Sequence, residues 1–169
     1  MKHILFLLLF ASVFMQCQTE KEMTSTYSAQ VGDIFFEEKI DDPKFKRCFE
    51  KDLGFQYYND TKGFEFEGEK IAIIKQLEKL KLQGNKESNG YITFRFLVNW
   101  EGKSGLFRAK SMNFNYIEEN SDQILANQLL SFTKKLEGCK IKEYNGVKLD
   151  YYQYLTYKIE DGKVSEILP

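Results

Sequence analysis

The chain has 169 residues, 43% of them apolar and 15% aromatic, which suits one domain with a real core and excludes wholesale disorder. Lys and Arg number 24 against 25 Asp and Glu, a net charge of −1, so the strongly basic face that nucleic acid requires is not expected. The one histidine is His3; Ser-His-Asp, Cys-His and HExxH chemistry are therefore excluded from any chain that has lost its N-terminus.

Lys2 and His3 precede a run over residues 4–15, ILFLLLFASVFM, that is apolar but for Ser12. A spanning helix needs about 20 apolar residues; this run has the size of a signal-peptide core instead. Gln16-Cys17 ends it, and QTEKE follows. The segment resembles a bacterial lipoprotein signal with Cys17 as the modified residue. The resemblance implies a diacylglycerol on the thiol and a further acyl chain, such as palmitate, on the freed amine, enough for stable attachment. Phe14-Met15-Gln16 is a loose lipobox of the kind found in Bacteroidetes-type bacteria, and Gln18 in place of Asp implies the outer membrane, periplasmic or surface face. Cleavage before Cys17 leaves 153 residues. An ordinary secretory signal with an incidental cysteine and a buried N-terminal helix are the other readings.

Residues 17–30 read as a tether and 31–169 as a single α+β domain. Residues 33–40, DIFFEEKI, have the composition of a strand, and Asp41-Asp42-Pro43 signals a turn. Residues 45–59 are aromatic and irregular and receive no element. Ile73, Leu77 and Leu80 predict a helix over 69–82 with Gly84 as its stop. Residues 90–100 alternate strictly, with Ile92, Phe94, Phe96, Val98 and Trp100 on one face and Tyr91, Thr93, Arg95, Leu97 and Asn99 on the other, which predicts a half-buried strand. Glu101-Gly102 turns the chain into a second strand over 106–112. Ser121 is the expected N-cap of a helix carrying Leu125, Leu129, Phe132 and Leu136, ended by Gly138. Tyr144-Asn145-Gly146 is a turn, residues 149–159 alternate again, and Asp161-Gly162 predicts a hairpin into a last strand over 164–168. The order is an antiparallel sheet with two helices on one face.

Gly90, Phe96, Val98 and Gly102, the amphipathic helix over 121–136, and GCKIKEYNG at 138–146 together resemble the TonB C-terminal domain over about residues 88–169. The Trp and Pro of that family's connection are missing, with Cys139 near the Trp position. Its N-terminal membrane helix and proline-rich spacer are missing too. The resemblance therefore implies the fold and a mode of binding, addition of a partner strand at an edge near 149–159 or 164–168, and not energy transduction.

The sequence offers no constellation for catalysis, no metal-ligand motif and no cofactor fingerprint; the acid pairs Glu37-Glu38, Asp41-Asp42 and Glu118-Glu119 are adjacent in sequence rather than converging. Cys48 and Cys139 form either a disulfide, which an oxidising compartment permits, or two separate thiols. Along residues 149–159 the parity puts Tyr151, Leu155, Tyr157 and Ile159 in the core and turns Tyr152, Tyr154 and Lys158 outward. With Tyr57 and Tyr58 these outward residues are candidates for contact with a partner protein or a glycan; cross-strand packing is the plainer reading. The function expected is a non-catalytic protein-binding module of the cell envelope, with a glycan- or peptidoglycan-binding lipoprotein as the alternative.

Overall fold

The computed structural model of the chain describes residues 31–48, 54–56 and 65–168. The expectations for Cys17, Tyr57 and Tyr58 lie outside these residues. Among them are two helices, α1 (Glu69–Leu80) and α2 (Gln123–Lys134). Six strands accompany them: β1 (Gly90–Val98), β2 (Ser104–Met112), β3 (Lys142–Tyr144), β4 (Val147–Leu149), β5 (Tyr151–Glu160) and β6 (Lys163–Leu168). The α+β class with an antiparallel sheet is thus as the sequence predicts. The main sheet runs β2-β1-β5-β6, and β3 and β4 form a small hairpin of their own that the sequence reading had only as a turn.

Strand alternation sets the core. β1 pairs with β5 so that Val98 faces Tyr151, Phe94 faces Leu155 and Ile92 faces Tyr157. Directly paired residues share a face, so these side chains form one apolar surface. Ile73 and Leu77 of α1, Leu125, Leu129 and Phe132 of α2, and Leu136 pack on it. Leu125 and Leu129 have 0% exposure, which is worth about 1.5–3 kcal/mol for each. The Tyr157 hydroxyl buried there meets Thr133 Oγ1 at 2.9 Å. Burial drives its pKa upward, with the Thr133 bond opposing in part, so it stays a neutral phenol.

Local chemistry shifts some boundaries. Asp122, not Ser121, caps α2: its carboxylate accepts the Ile124 and Leu125 N–H groups at 2.9 and 3.1 Å. Ser121 instead meets the Ser111 hydroxyl at 2.9 Å. α1 ends at Leu80, with Lys81 in the left-handed region, before Gly84 is reached. Gly84 serves close packing: a Cβ there would stand 2.5 Å from Asp122 Oδ2. The hairpin turns Asn145-Gly146 and Asp161-Gly162 carry positive φ at both positions, as a two-residue turn matched to strand twist demands.

Two expectations fail together. Residues 33–40 are not a strand; Ile40 and Asp41 N–H groups both turn back to the Glu37 carbonyl at 3.0 and 2.9 Å. And β1 is not half-buried along its whole length: Arg95 and Leu97 on its second face, and Asn99 just beyond its end, have 0–1% exposure. The cause is one and the same. Residues 31–48 cross that second face as a strap, placing Ile34 and Phe45 against Leu97, Leu106 and Tyr152. Gly105 admits Phe45, whose ring carbons would stand 2.4–2.7 Å from any Cβ there.

Polar ties hold the strap down. Arg108 of β2 donates through Nη1 and Nη2 to the two carboxylate oxygens of Asp41 at 2.9 and 2.8 Å, and through Nη2 to the Phe35 carbonyl at 2.6 Å. Asp41 also accepts the Glu37 N–H at 2.8 Å. Burial alone would raise the Asp41 pKa, but the bonds from Arg108 and the Glu37 N–H outweigh it and hold the carboxyl below its usual range. Asn99 Nδ2 donates to the Lys46 carbonyl at 2.8 Å, and Asp150 accepts the Cys48 N–H at 2.7 Å. Arg95 donates to Gln56 Oε1 at 2.9 Å and to the Gly32 carbonyl, with its guanidinium 4.3 Å over the Tyr152 ring.

Candidate functional site

The strap covers only part of the second face. Beyond it the face stays open along Tyr154, Thr156 and Lys158 of β5 and Tyr91 and Thr93 of β1, each half-buried. Thr93 and Thr156 hydroxyls join across the strands at 2.9 Å. At the far end, where β1 begins and β2 stops, lies a cleft of about 460 Å³. That is within the usual size of a small-ligand site. Ile92, Leu125 and Ile159 lie at its base, and Gly90 is required beside it, since a Cβ at that φ of +132° would stand 2.2 Å from the Met112 carbonyl oxygen.

Asn113, Phe114 and Asn115 of the chain leaving β2 line one side of it, and the loop continues outward through Tyr116 and Ile117. Asn113 builds this loop. Its Oδ1 accepts the Asn115 and Ile117 N–H groups at 2.9 and 3.1 Å, and its Nδ2 donates to Glu119 at 3.1 Å. The Tyr116 N–H closes on the Asn113 carbonyl at 2.9 Å. The result holds Tyr116 at a φ of +60°, an uncommon conformation for a bulky residue, with 72% of its surface exposed. Its ring stacks on Tyr91 at 5.6 Å and 8°, and Phe114 meets Tyr91 edge-on at 5.4 Å. Partial burial and the bond to Tyr116 push the Tyr91 hydroxyl pKa up. Lys158 lies 5.8 Å over Phe114, and its 2.8 Å bond with Glu160 holds its pKa above the ordinary value.

Neutral and acidic groups line the cleft: Asn89, Asn113, Asn115, Asn120, Ser111, Ser121, and the carboxylates Glu87, Glu119 and Asp122. Arg and Lys are missing from this set. Aromatic faces beside amides, hydroxyls and carboxylates suit a neutral polyol, and the carboxylates repel an anion.

The outward residues expected from sequence divide. Tyr154 and Lys158 do face out, and Lys158 reaches the aromatic loop. Tyr152 does not: it has 0% exposure, because the strap lies over it. Its hydroxyl accepts the Ile34 N–H at 3.0 Å and donates to Asp33 at 3.1 Å. The expected edge at 149–159 is also corrected, since β5 lies between β1 and β6; β6 is the outer strand on that side. Cys48 and Cys139 are not joined. Cys48 is exposed beside the Lys148 carbonyl, whereas Cys139 is buried against the helix-side core, and burial pushes its pKa up to about 11.

The acid pairs do not converge. Asp41 binds Arg108 while Asp42 accepts the Lys44 N–H at 2.8 Å, and Glu118 pairs with Lys110 at 3.0 Å. Among the described residues no group of three or more His, Cys, Asp or Glu is placed to hold a metal ion. Sequence reasoning missed Tyr91 as a site residue, along with Phe114 and Tyr116; the alternation of asparagine and aromatic over 113–116 was the available signal. No protein-family model, curated protein or solved structure matches the chain.

Proposed function

We propose that the chain is a lipid-anchored, non-catalytic binding protein of the cell envelope, attached through Cys17 to the outer membrane, that takes a neutral glycan at the cleft beside Tyr91, Phe114 and Tyr116. One observation carries this reading: a preformed 460 Å³ cleft lined by Tyr91 and Phe114, which meet edge-on, and by amide, hydroxyl and carboxylate groups, with Tyr116 stacked on Tyr91 beside it. The exposed face of Tyr116 stacks on the C–H face of a sugar, and the asparagines bond its hydroxyls. Titration with a panel of neutral and uronic-acid oligosaccharides tests it. Neutral members bind and acidic ones bind more weakly. Tyr116→Ala weakens binding roughly 3–12-fold, the worth of one aromatic contact, and costs about 0.5–1.5 kcal/mol of stability through the lost Tyr91 stack. Binding that is unchanged in Tyr116→Ala, or confined to acidic glycans, overturns the reading.

A second reading keeps the likeness to the TonB C-terminal domain and has the chain bind an envelope protein by strand addition. The observation that favours it is the open outer side of β6, where Lys163, Ser165 and Glu166 are exposed. Extended peptides from outer-membrane receptors then shift the amide resonances of residues 163–168. Shifts confined to the Tyr91 cleft exclude it.

A further inference from the structure

Residues 31–40, which lead away from Cys17, expose four large apolar side chains: Val31, Phe35, Phe36 and Ile40, with Phe35 at 63% and Phe36 at 52%. The inward position of this stretch is taken by Ile34, at 0% exposure. The Phe pair cannot turn in to join it, because the backbone on both sides is fixed. The Phe35 carbonyl is held by Arg108 at 2.6 Å, and the Glu37 N–H by Asp41 at 2.8 Å. Two adjacent phenylalanines are thus presented to solvent by a buried ion pair.

Their position along the chain says what covers them. Val31 is fourteen residues beyond Cys17. Even fully extended, fourteen residues span at most about 50 Å, so an acylated Cys17 keeps this patch within reach of the membrane surface. We propose that Phe35, Phe36 and Ile40 seat in the interfacial zone of the lipid bilayer, fixing the anchored domain strap-side down. The proposal rests on the reading of Cys17 as lipid-modified. Glu37 and Glu38 flank the rings with Lys39 as the adjacent cation, so the patch suits zwitterionic lipid and its contact is insensitive to salt.

The test uses the acylated protein purified from host membranes and reconstituted into phosphatidylcholine vesicles with brominated acyl chains. The chain's single tryptophan, Trp100, gives the reference signal. A Trp100→Phe, Phe36→Trp variant moves that signal into the patch, where the ring is exposed and folding does not depend on it. The tryptophan at 36 loses most of its emission to brominated lipid while Trp100 of the unaltered protein keeps its own. Emission at 36 that brominated lipid leaves unchanged in an acylated protein overturns the bilayer seat. A blue shift there without quenching also overturns it, in favour of a protein surface or a second copy over the patch. Mass spectrometry of the Cys17 peptide in the same sample reads the anchor separately; an unmodified Cys17 overturns the anchor and the seat with it.

Discussion

Asp41→Asn removes one charge from the ion pair that holds the strap. The Asp41 and Arg108 side chains are 2% and 8% exposed, so water cannot replace the lost carboxylate. Asn offers one acceptor where the carboxylate offered two, and it turns an amide N–H toward the guanidinium or the Glu37 N–H. Breaking one side of a buried pair costs about 3–5 kcal/mol, well above the 0–1 kcal/mol of a surface pair. At the lower figure, Tm falls by roughly 10 °C for a domain of this size. The strap rests on a small apolar cluster of its own, so the damage is local first. Amide exchange then quickens at Glu37, Asp41 and Cys48, while β1 and β5 amides keep their protection. The pH dependence has a definite sign. The folded Asp41 carboxyl titrates below its ordinary value, so its contribution is full above about pH 4 and fades as pH falls through the folded value. The variant lacks that acid limb. A loss under about 0.5 kcal/mol, or strap exchange rates equal to those of the parent, refutes the claim that this pair holds the strap.

Tyr152→Phe deletes the hydroxyl that accepts the buried Ile34 N–H and costs about 1–2 kcal/mol by urea unfolding; no change means the strap does not depend on that bond. Thiol labelling near pH 8 modifies Cys48 at once and Cys139 only on unfolding, since burial pushes the latter to about 11. The unfolded mature chain then takes two labels if Cys17 carries its lipid and three if it does not, read by intact mass.

The helix-side core was legible because it obeys a simple period. Ile92 to Val98 and Tyr151 to Ile159 alternate, and Leu125, Leu129 and Phe132 recur at helical spacing, so one surface meets another without outside help. The second face gave no such signal. Arg95, Asn99 and Arg108 are polar, and polar residues on alternate positions normally face water. What buries them is a segment without regular structure, whose own pattern misleads: Ile34 and Phe36 share a parity, yet one is buried and the other half exposed. Partners such as Asp41 for Arg108 and Gln56 for Arg95 explain why those charges are tolerated, and no local pattern reports a partner 39 or 67 residues away. The cleft was hidden for a related reason. Its rim depends on the Asn113 side chain folding a loop, and Tyr91 looked like one more residue on a solvent face.

The polar character of the strap's attachment has a consequence for the membrane seat. A strap held by ion pairs and amides over a small apolar cluster is one of the easier parts of the structure to open, and opening it disperses Phe35, Phe36 and Ile40. A bilayer that takes those side chains binds only the closed strap, so it stabilises that state by mass action. The linkage is reciprocal. Asp41→Asn, which leaves the rings themselves intact, therefore weakens the quenching of a tryptophan at position 36 by brominated lipid, and vesicles slow amide exchange at Glu37 and Asp41 in the unaltered protein. If the ion pair is broken and quenching at 36 is undiminished, the rings reach the bilayer without the strap's fixed geometry, and the preorganisation argued from Arg108 and Asp41 plays no part in membrane contact.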